Sequence, residues 1–281
     1  MRLLLSALCS FVVMATIVTA EPVQDVLEQT GELLPQREDL AVMEECIELY
    51  EEALSLSPGD PELLVMLAQL WHEHSRLMEH EEHNADQRME SLKKAADYAC
   101  QAMGLGSCVE LERMSVDEME SHLAEVDNPA ALHWAGDSWG KILDENRWHA
   151  LRVHSVDKLR ALYGRLIEVD ESHFGAAGHR SLGALEANLA TTPLVGGWLG
   201  SVDQAHEHFE RALELAPEFL MNYLEYADQL ARPLGEWELF DELIEHVLQA
   251  PMEPTPFWNN LAKRNARELL QREGRPPPPE A

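Results

Sequence analysis

Four times along this chain a residue set recurs at offsets of four, three and five. Cys46, Tyr50, Ala53 and Pro58 form one copy, in CIELYEEALSLSP. Ala95, Ala99, Ala102 and Ser107 form a second, Leu159, Tyr163, Leu166 and Glu171 a third, and Ala205, Phe209, Ala212 and Pro217 a fourth, in AHEHFERALELAP. Offsets of four and three place side chains on one face of a helix. A small residue there lets a neighbouring helix approach, an aromatic fills the space between helices, and a proline or polar residue stops the helix. This pattern predicts stacked helices like the second helix of a tetratricopeptide repeat. The copies begin at residues 46, 95, 159 and 205, farther apart than the roughly 34 residues of tandem repeats of that kind, so extra helices must lie between them.

Start signals agree with an all-α chain. Asp60-Pro61, Asn128-Pro129 and Thr255-Pro256 each offer an N-cap with proline at the first helical position, and Ser115 with Glu118 and Ser201 with Gln204 fit capping boxes. Together with apolar periodicity they predict helices over 38–56, 61–79, 87–103, 116–126, 129–149, 155–169, 174–190, 201–215, 218–231, 236–249 and 256–272. No stretch reads as a strand. The expected architecture is a single solenoid-like helical domain over residues 21–272, followed by a flexible proline-rich tail, 273–281.

Residues 1–20 read as an export signal: Arg2, an apolar run from Leu3 to Val18, then Val18-Thr19-Ala20 before Glu21. Leu8 stands where a lipidation signal at Cys9 would need a small residue, so a soluble periplasmic form without a lipid anchor is expected. Cys46, Cys100 and Cys108 then remain in an oxidising compartment, with Cys100 and Cys108 the nearest pair in sequence. Three buried thiols are the alternative. With a formal net charge of -30 and a pI of about 4.6, the chain has no basic surface of the kind that binds phosphate backbones, which excludes nucleic acid and anionic membranes as partners.

Chemical motifs are few. WHEHSRLMEHEEH carries His72, His74, His80 and His83, and AHEHFE carries His206 and His208, but neither has HExxH spacing. The Glu-rich sequence flanking these histidines reads as a solvated helix end. GHRSLG lacks the spacing of a nucleophile elbow, MGLGS ends a helix, and GGWLGS has no lysine for a phosphate loop. No catalytic residue, cofactor or metal is expected. PAALHWAGDSWGKIL, residues 129–143, is more informative, because each glycine inside a helix costs about 1 kcal/mol relative to alanine. Gly136 and Gly140 share a face beside His133, Trp134 and Trp139, and Gly175, Gly178 and Gly183 thin a second helix. Such helices either cross closely or wall an internal groove.

The blocks PAALHWAGDSWGKIL, FGAAGHRSLGALEANLATTPLVGGWLGSVDQAHEHFERALELAPEF, RPLGEWELFDELIEHVLQAP and FWNNLAKRNARELLQ resemble, in order and spacing, the T component (TatT) of tripartite ATP-independent periplasmic (TRAP) transporters. The resemblance implies an α-helical periplasmic homotrimer with cryptic tetratricopeptide-like repeats. It further implies association with a TRAP substrate-binding protein and a pore or groove suited to a hydrophobic, or carboxylated, ligand. Many members of that family are lipid-anchored, and this chain departs from them in lacking a good lipidation signal. The expected lining is His133, Trp134, Gly136, Trp139, Gly140, Gly197, Trp198 and Tyr223. The rival reading is a helical scaffold for envelope assembly through which no ligand passes.

Overall fold

The computed structural model describes residues 23–78, 84–145, 153–192 and 199–276. The export signal, His80, His83, Gly197, Trp198 and most of the proline-rich tail lie outside the described residues. Among the described residues every regular element is helical and none is a strand. None of these helices is long and apolar enough to cross a membrane.

Contacts divide the chain into two compact units, one formed by residues up to Met114 with 134–147, the other by 115–133 with residues from Trp148 onward. In the first, residues 23–33 form α1, which runs into a 3-10 turn at Leu34–Gln36. There follow α2 (Leu40–Leu56), α3 (Pro61–Leu77), α4 (Ala85–Ala102) and α5 (Cys108–Arg113). Helix α3 packs most extensively on α4, and α2 on α3. Asp60 caps α3 by accepting from the Glu62 and Leu63 amides, so the cap read from sequence is the one used.

The second unit holds α6 (Val116–Leu123), α8 (Ser155–Val169), α9 (His173–Thr191) and α10 (Val202–Leu215). Beyond them, α11 (Leu220–Tyr226) widens into a π turn at Ala227–Ala231 and one further turn, Arg232–Leu234. Helices α12 (Trp237–Gln249) and α13 (Pro256–Arg272) close the unit. Helix α7 (Pro129–Glu145) is divided, its residues through His133 counting with the second unit and those from Trp134 with the first. Ser115 makes a complete capping box with Glu118, Ser201 accepts from the Gln204 amide, and Asn128 Oδ1 accepts from the Ala131 amide at 3.1 Å. Thr255 departs from expectation: its hydroxyl is buried with no hydrogen-bond partner and does not cap α13.

The small and aromatic positions of the recurring set go inside. Cys46, Ala53, Ala95, Ala99, Leu166, Ala205, Phe209 and Ala212 are fully buried, with Tyr50 and Tyr163 nearly so. Glycine supplies the close approaches. A Cβ on Gly178 would lie 2.6 Å from Ile167 Cγ1 of α8, and one on Gly183 would lie 3.0 Å from the Phe209 ring of α10. Phe209 in turn stacks on Tyr226 with centroids 4.9 Å apart. These are tight helix crossings of the kind the glycine spacing suggests.

The WHEHSR run is not solvated. His72, Glu73, His74, Ser75 and Arg76 are all buried in the first unit. Burial without partners would be costly, and the partners come from distant sequence. Glu73, 0% exposed, accepts from Arg37 Nε at 2.7 Å and from Gln69 Nε2 at 2.8 Å. His72 Nδ1 meets Ser138 Oγ, and His74 Nδ1 meets Ser91 Oγ, each at 2.9 Å.

Candidate functional site

The second unit contains the most unusual backbone in the protein. Helix α9 begins with a left-handed turn in which Phe174 (φ 48), Gly175 (φ 67) and Ala176 (φ 59) follow one another. Glycine tolerates this region, but a residue with a Cβ loses roughly 1–2 kcal/mol there. Such strain persists only where surroundings over-determine it, and it concentrates at functional positions.

Those surroundings are identifiable. Asp170 Oδ1 accepts from the Ser172 amide and hydroxyl at 3.0 and 2.9 Å, fixing the approach to the turn. From inside, Arg180 Nη1 donates to the carbonyls of Phe174 and Gly175 at 3.4 and 3.3 Å and to Asn222 Oδ1 at 3.2 Å. Buried Asn222 donates onward to the Ala212 and Ala216 carbonyls. A buried guanidinium, one turn along the same helix, thus satisfies carbonyls that the left-handed turn removes from the helical ladder. Gly175 has no alternative: a Cβ there would lie 2.5 Å from the Phe219 ring.

The turn delivers Phe174 into a box of aromatic rings. Its centroid lies 4.9 Å from that of His133, 5.6 Å from Phe219 and 5.5 Å from Trp258. His133 and His173 meet edge to face at 5.6 Å. Trp258 is held in place by its neighbour Asn259, whose side chain accepts from the Leu220 amide and donates to the Glu218 and Met252 carbonyls. Phe174 itself is only half-buried, whereas His133 is fully buried.

A charge borders the box, the Arg180 guanidinium, which lies over the Phe219 ring at 5.1 Å. Burial and the neighbouring His133 push the His173 imidazole down to about 4, so at neutral pH it carries no charge. Its Nε2 is buried without a hydrogen-bond partner, and Nδ1 faces Asp170 at 4.0 Å. An uncharged imidazole among aromatic rings makes a largely apolar environment.

A second histidine group lies along α9 and α10. His179 Nδ1 and His208 Nδ1 are 3.0 Å apart, His179 Nε2 is 3.1 Å from Glu171 Oε1, and Arg211 Nε donates to Glu171 at 3.0 Å. Burial lowers both imidazoles, while the Arg211 hydrogen bond holds the Glu171 carboxyl down. Among the described residues no group of three or more His, Cys, Asp or Glu side chains is arranged to hold a metal ion.

The residues singled out by sequence fall in different places. His133 joins the aromatic box of the second unit. Tyr223, half-buried on α11 of the same unit, stacks instead on His246, centroids 4.0 Å apart. Trp134 and Gly136 are buried, Trp139 is buried and Gly140 half-buried, all counting with the first unit. There Trp134 lies against His72 (5.2 Å) and Trp139 donates from Nε1 to Glu112 at 3.0 Å. His173, Phe174, Arg180, Phe219 and Trp258 were not singled out. One signal was present: FG directly after DESH, since Asp170 and Ser172 mark a turn and Gly175 supplies positive φ.

Fold and box together define a class, an all-α protein with a cluster of aromatic rings around a turn fixed by a buried guanidinium. The chain matches the family model of the TRAP transporter T-component (TAtT) over residues 39–275, most of its length, and it belongs to that family. It is therefore a component of a TRAP transporter. No curated protein matches the chain in sequence.

Proposed function

We propose that this T-component is a non-enzymatic periplasmic accessory subunit that binds the substrate-binding protein of its transporter and holds an apolar ligand, carboxylated or not, for transfer. The observation that carries the ligand half is the Phe174 turn: strain of this kind is retained where three rings and a buried, unpartnered histidine nitrogen converge. Membership of the family supports the partner half. His133 is the sequence-nominated residue that the reading uses directly as a ligand contact. Export by residues 1–20, absence of a lipid anchor and a homotrimeric state belong to the same proposal.

Affinity capture of the native protein from its own cells, with mass spectrometry of what accompanies it, tests both halves. A substrate-binding protein in near-stoichiometric yield is expected, along with an apolar compound that Trp258→Ala no longer retains. Repeated capture without any binding protein, even after cross-linking, would sink the partner assignment.

Trp134 and Trp139, each about 1% exposed, favour a second reading for the first unit, that of a packed helical scaffold that passes no ligand. Retention of the compound by Trp139→Phe and its loss in Trp258→Ala would assign scaffold and site to different parts of the chain.

A further inference from the structure

Cys100 and Cys108 are brought together by the way α4 stops. At its end the Met103 amide donates to the Ala99 and Cys100 carbonyls, and the Leu105 amide reaches back to the Cys100 carbonyl at 2.9 Å. Gly104, at φ +86, lets the chain reverse. The backbone re-enters as α5, whose first residue is Cys108, and the Cys108 amide donates to Asp97 Oδ1 at 2.8 Å. Asp97 and Cys100 are three apart on α4 and share a face. Cys108 is thereby tied by its backbone to the face of α4 that carries Cys100, and both are buried free thiols.

We propose that Cys100 and Cys108 are a modification site, oxidised to a disulfide by exchange with a disulfide oxidant, and that the bond staples α5 to α4. Cys108, 8% exposed against 0% for Cys100, meets the oxidant R–S–S–R first. Its thiolate attacks one sulfur and expels RS⁻, leaving a mixed disulfide. The Cys100 thiolate then attacks Cys108 Sγ and expels the second RS⁻. The two thiol protons end on two R–SH, the oxidant gains the electron pair, and the protein loses two hydrogens. The hydrogen bond with Cys100, then burial, pushes the Cys108 thiol well up. Exchange in the folded chain must therefore wait for local opening, and oxidation is fastest during folding. The staple holds α5, which carries Glu112 to the Trp139 indole.

One tryptic peptide, bounded by Lys94 and Arg113, contains both cysteines. The reduced full-length chain, unfolded and refolded in excess oxidised glutathione, is alkylated and digested beside folded reduced protein given the same oxidant. In the refolded sample that peptide is expected without alkyl groups or glutathione and lighter by two hydrogens, with Cys46 outside any protein disulfide, alkylated or carrying glutathione. The folded sample should reach the same state more slowly by on the order of ten-fold, and the oxidised protein should melt several degrees above the reduced. Cys100→Ser should stop at a glutathione adduct on Cys108. Pairing of Cys46 with either thiol, two alkyl groups on the refolded peptide, or an unchanged melting temperature after oxidation would each overturn the proposal.

Discussion

Helices α3 and α9 of this protein both carry histidines, and their backbones treat them in different ways. In the first unit, α3 is regular through Leu77, and His72 and His74 each place Nδ1 on a serine hydroxyl brought by another helix. In the second, α9 starts with three left-handed residues; a buried Nε2 without a hydrogen-bond partner occurs on both His74 and His173, so it is the backbone that differs. A polar core that relaxes onto partners is built to hold the fold. A strained turn is held by other parts of the structure, here Arg180 and Asn222. The comparison separates, on backbone geometry, histidines on a regular helix from a histidine beside a strained turn.

If the turn is over-determined, the largest single-residue effect belongs there. Gly175→Ala combines a left-handed penalty with overlap against Phe219 at 2.5 Å, and should destabilise by about 3–4 kcal/mol in denaturant unfolding. A cost below about 1 kcal/mol would mean that the turn relaxes freely and the contrast fails. In the first unit the matching change is Arg37→Ala, which withdraws two donors from a fully buried carboxylate. It should cost about 3 kcal/mol, the low end of the range for broken buried pairs, because Gln69 still donates to Glu73.

Acid sharpens the comparison. The folded His173 pKa of about 4 lies below its ordinary value of 6.5, so between those values the unfolded chain binds more protons. Stability is whole above about pH 6.5 and is lost as pH falls towards 4. The limb should amount to about 2 kcal/mol once solvent screening of the partly exposed ring is allowed for. His179, His208 and His74 are lowered by burial too and add in the same direction. Unfolding free energies of His173→Gln across this range should show a shallower limb; an unchanged slope would remove His173 from the account.

Much of the helical plan was legible because it is written locally. The caps at Asp60, Ser115 and Asn128 need only residues two or three positions away and act as read, while Ser201 accepts from the Gln204 amide but gives its own amide to Glu186, so its box is half formed. Six-residue α5 escaped because it buries only Cys108 and Leu111, too few positions for a period to show. The burial of WHEHSR escaped for the opposite reason. Its charges are tolerable only through Arg37, 36 residues away, and Ser138, 66 residues away, and no local pattern reports such partners. The glycines of α9 were partly legible: Gly178 and Gly183 make the close crossings expected of them, while Gly175 serves a turn that it shares with Phe174 and Ala176. Nothing in the propensities of phenylalanine or alanine announces positive φ, so His173, Phe174 and the rings around them were not found beyond His133.

Two small effects complete the contrast. Ser138→Ala removes the hydroxyl from His72 Nδ1 in a site with no exposure at Ser138, and should cost about 1 kcal/mol, the net worth of one buried hydrogen bond. Gly164→Ala should go the other way. Gly164 lies inside α8, its φ is ordinary, and a Cβ there meets nothing within 4 Å. Alanine lowers the backbone entropy of the unfolded chain and improves helix propensity, so a gain of about 0.5–1 kcal/mol is expected. Gly164 and Gly175 are both glycines at helical positions of the second unit, yet one change should stabilise and the other should destabilise several times more strongly. Equal responses at the two sites, measured by the same thermal or denaturant melt, would show that the space and dihedral at Gly175 do not govern the turn.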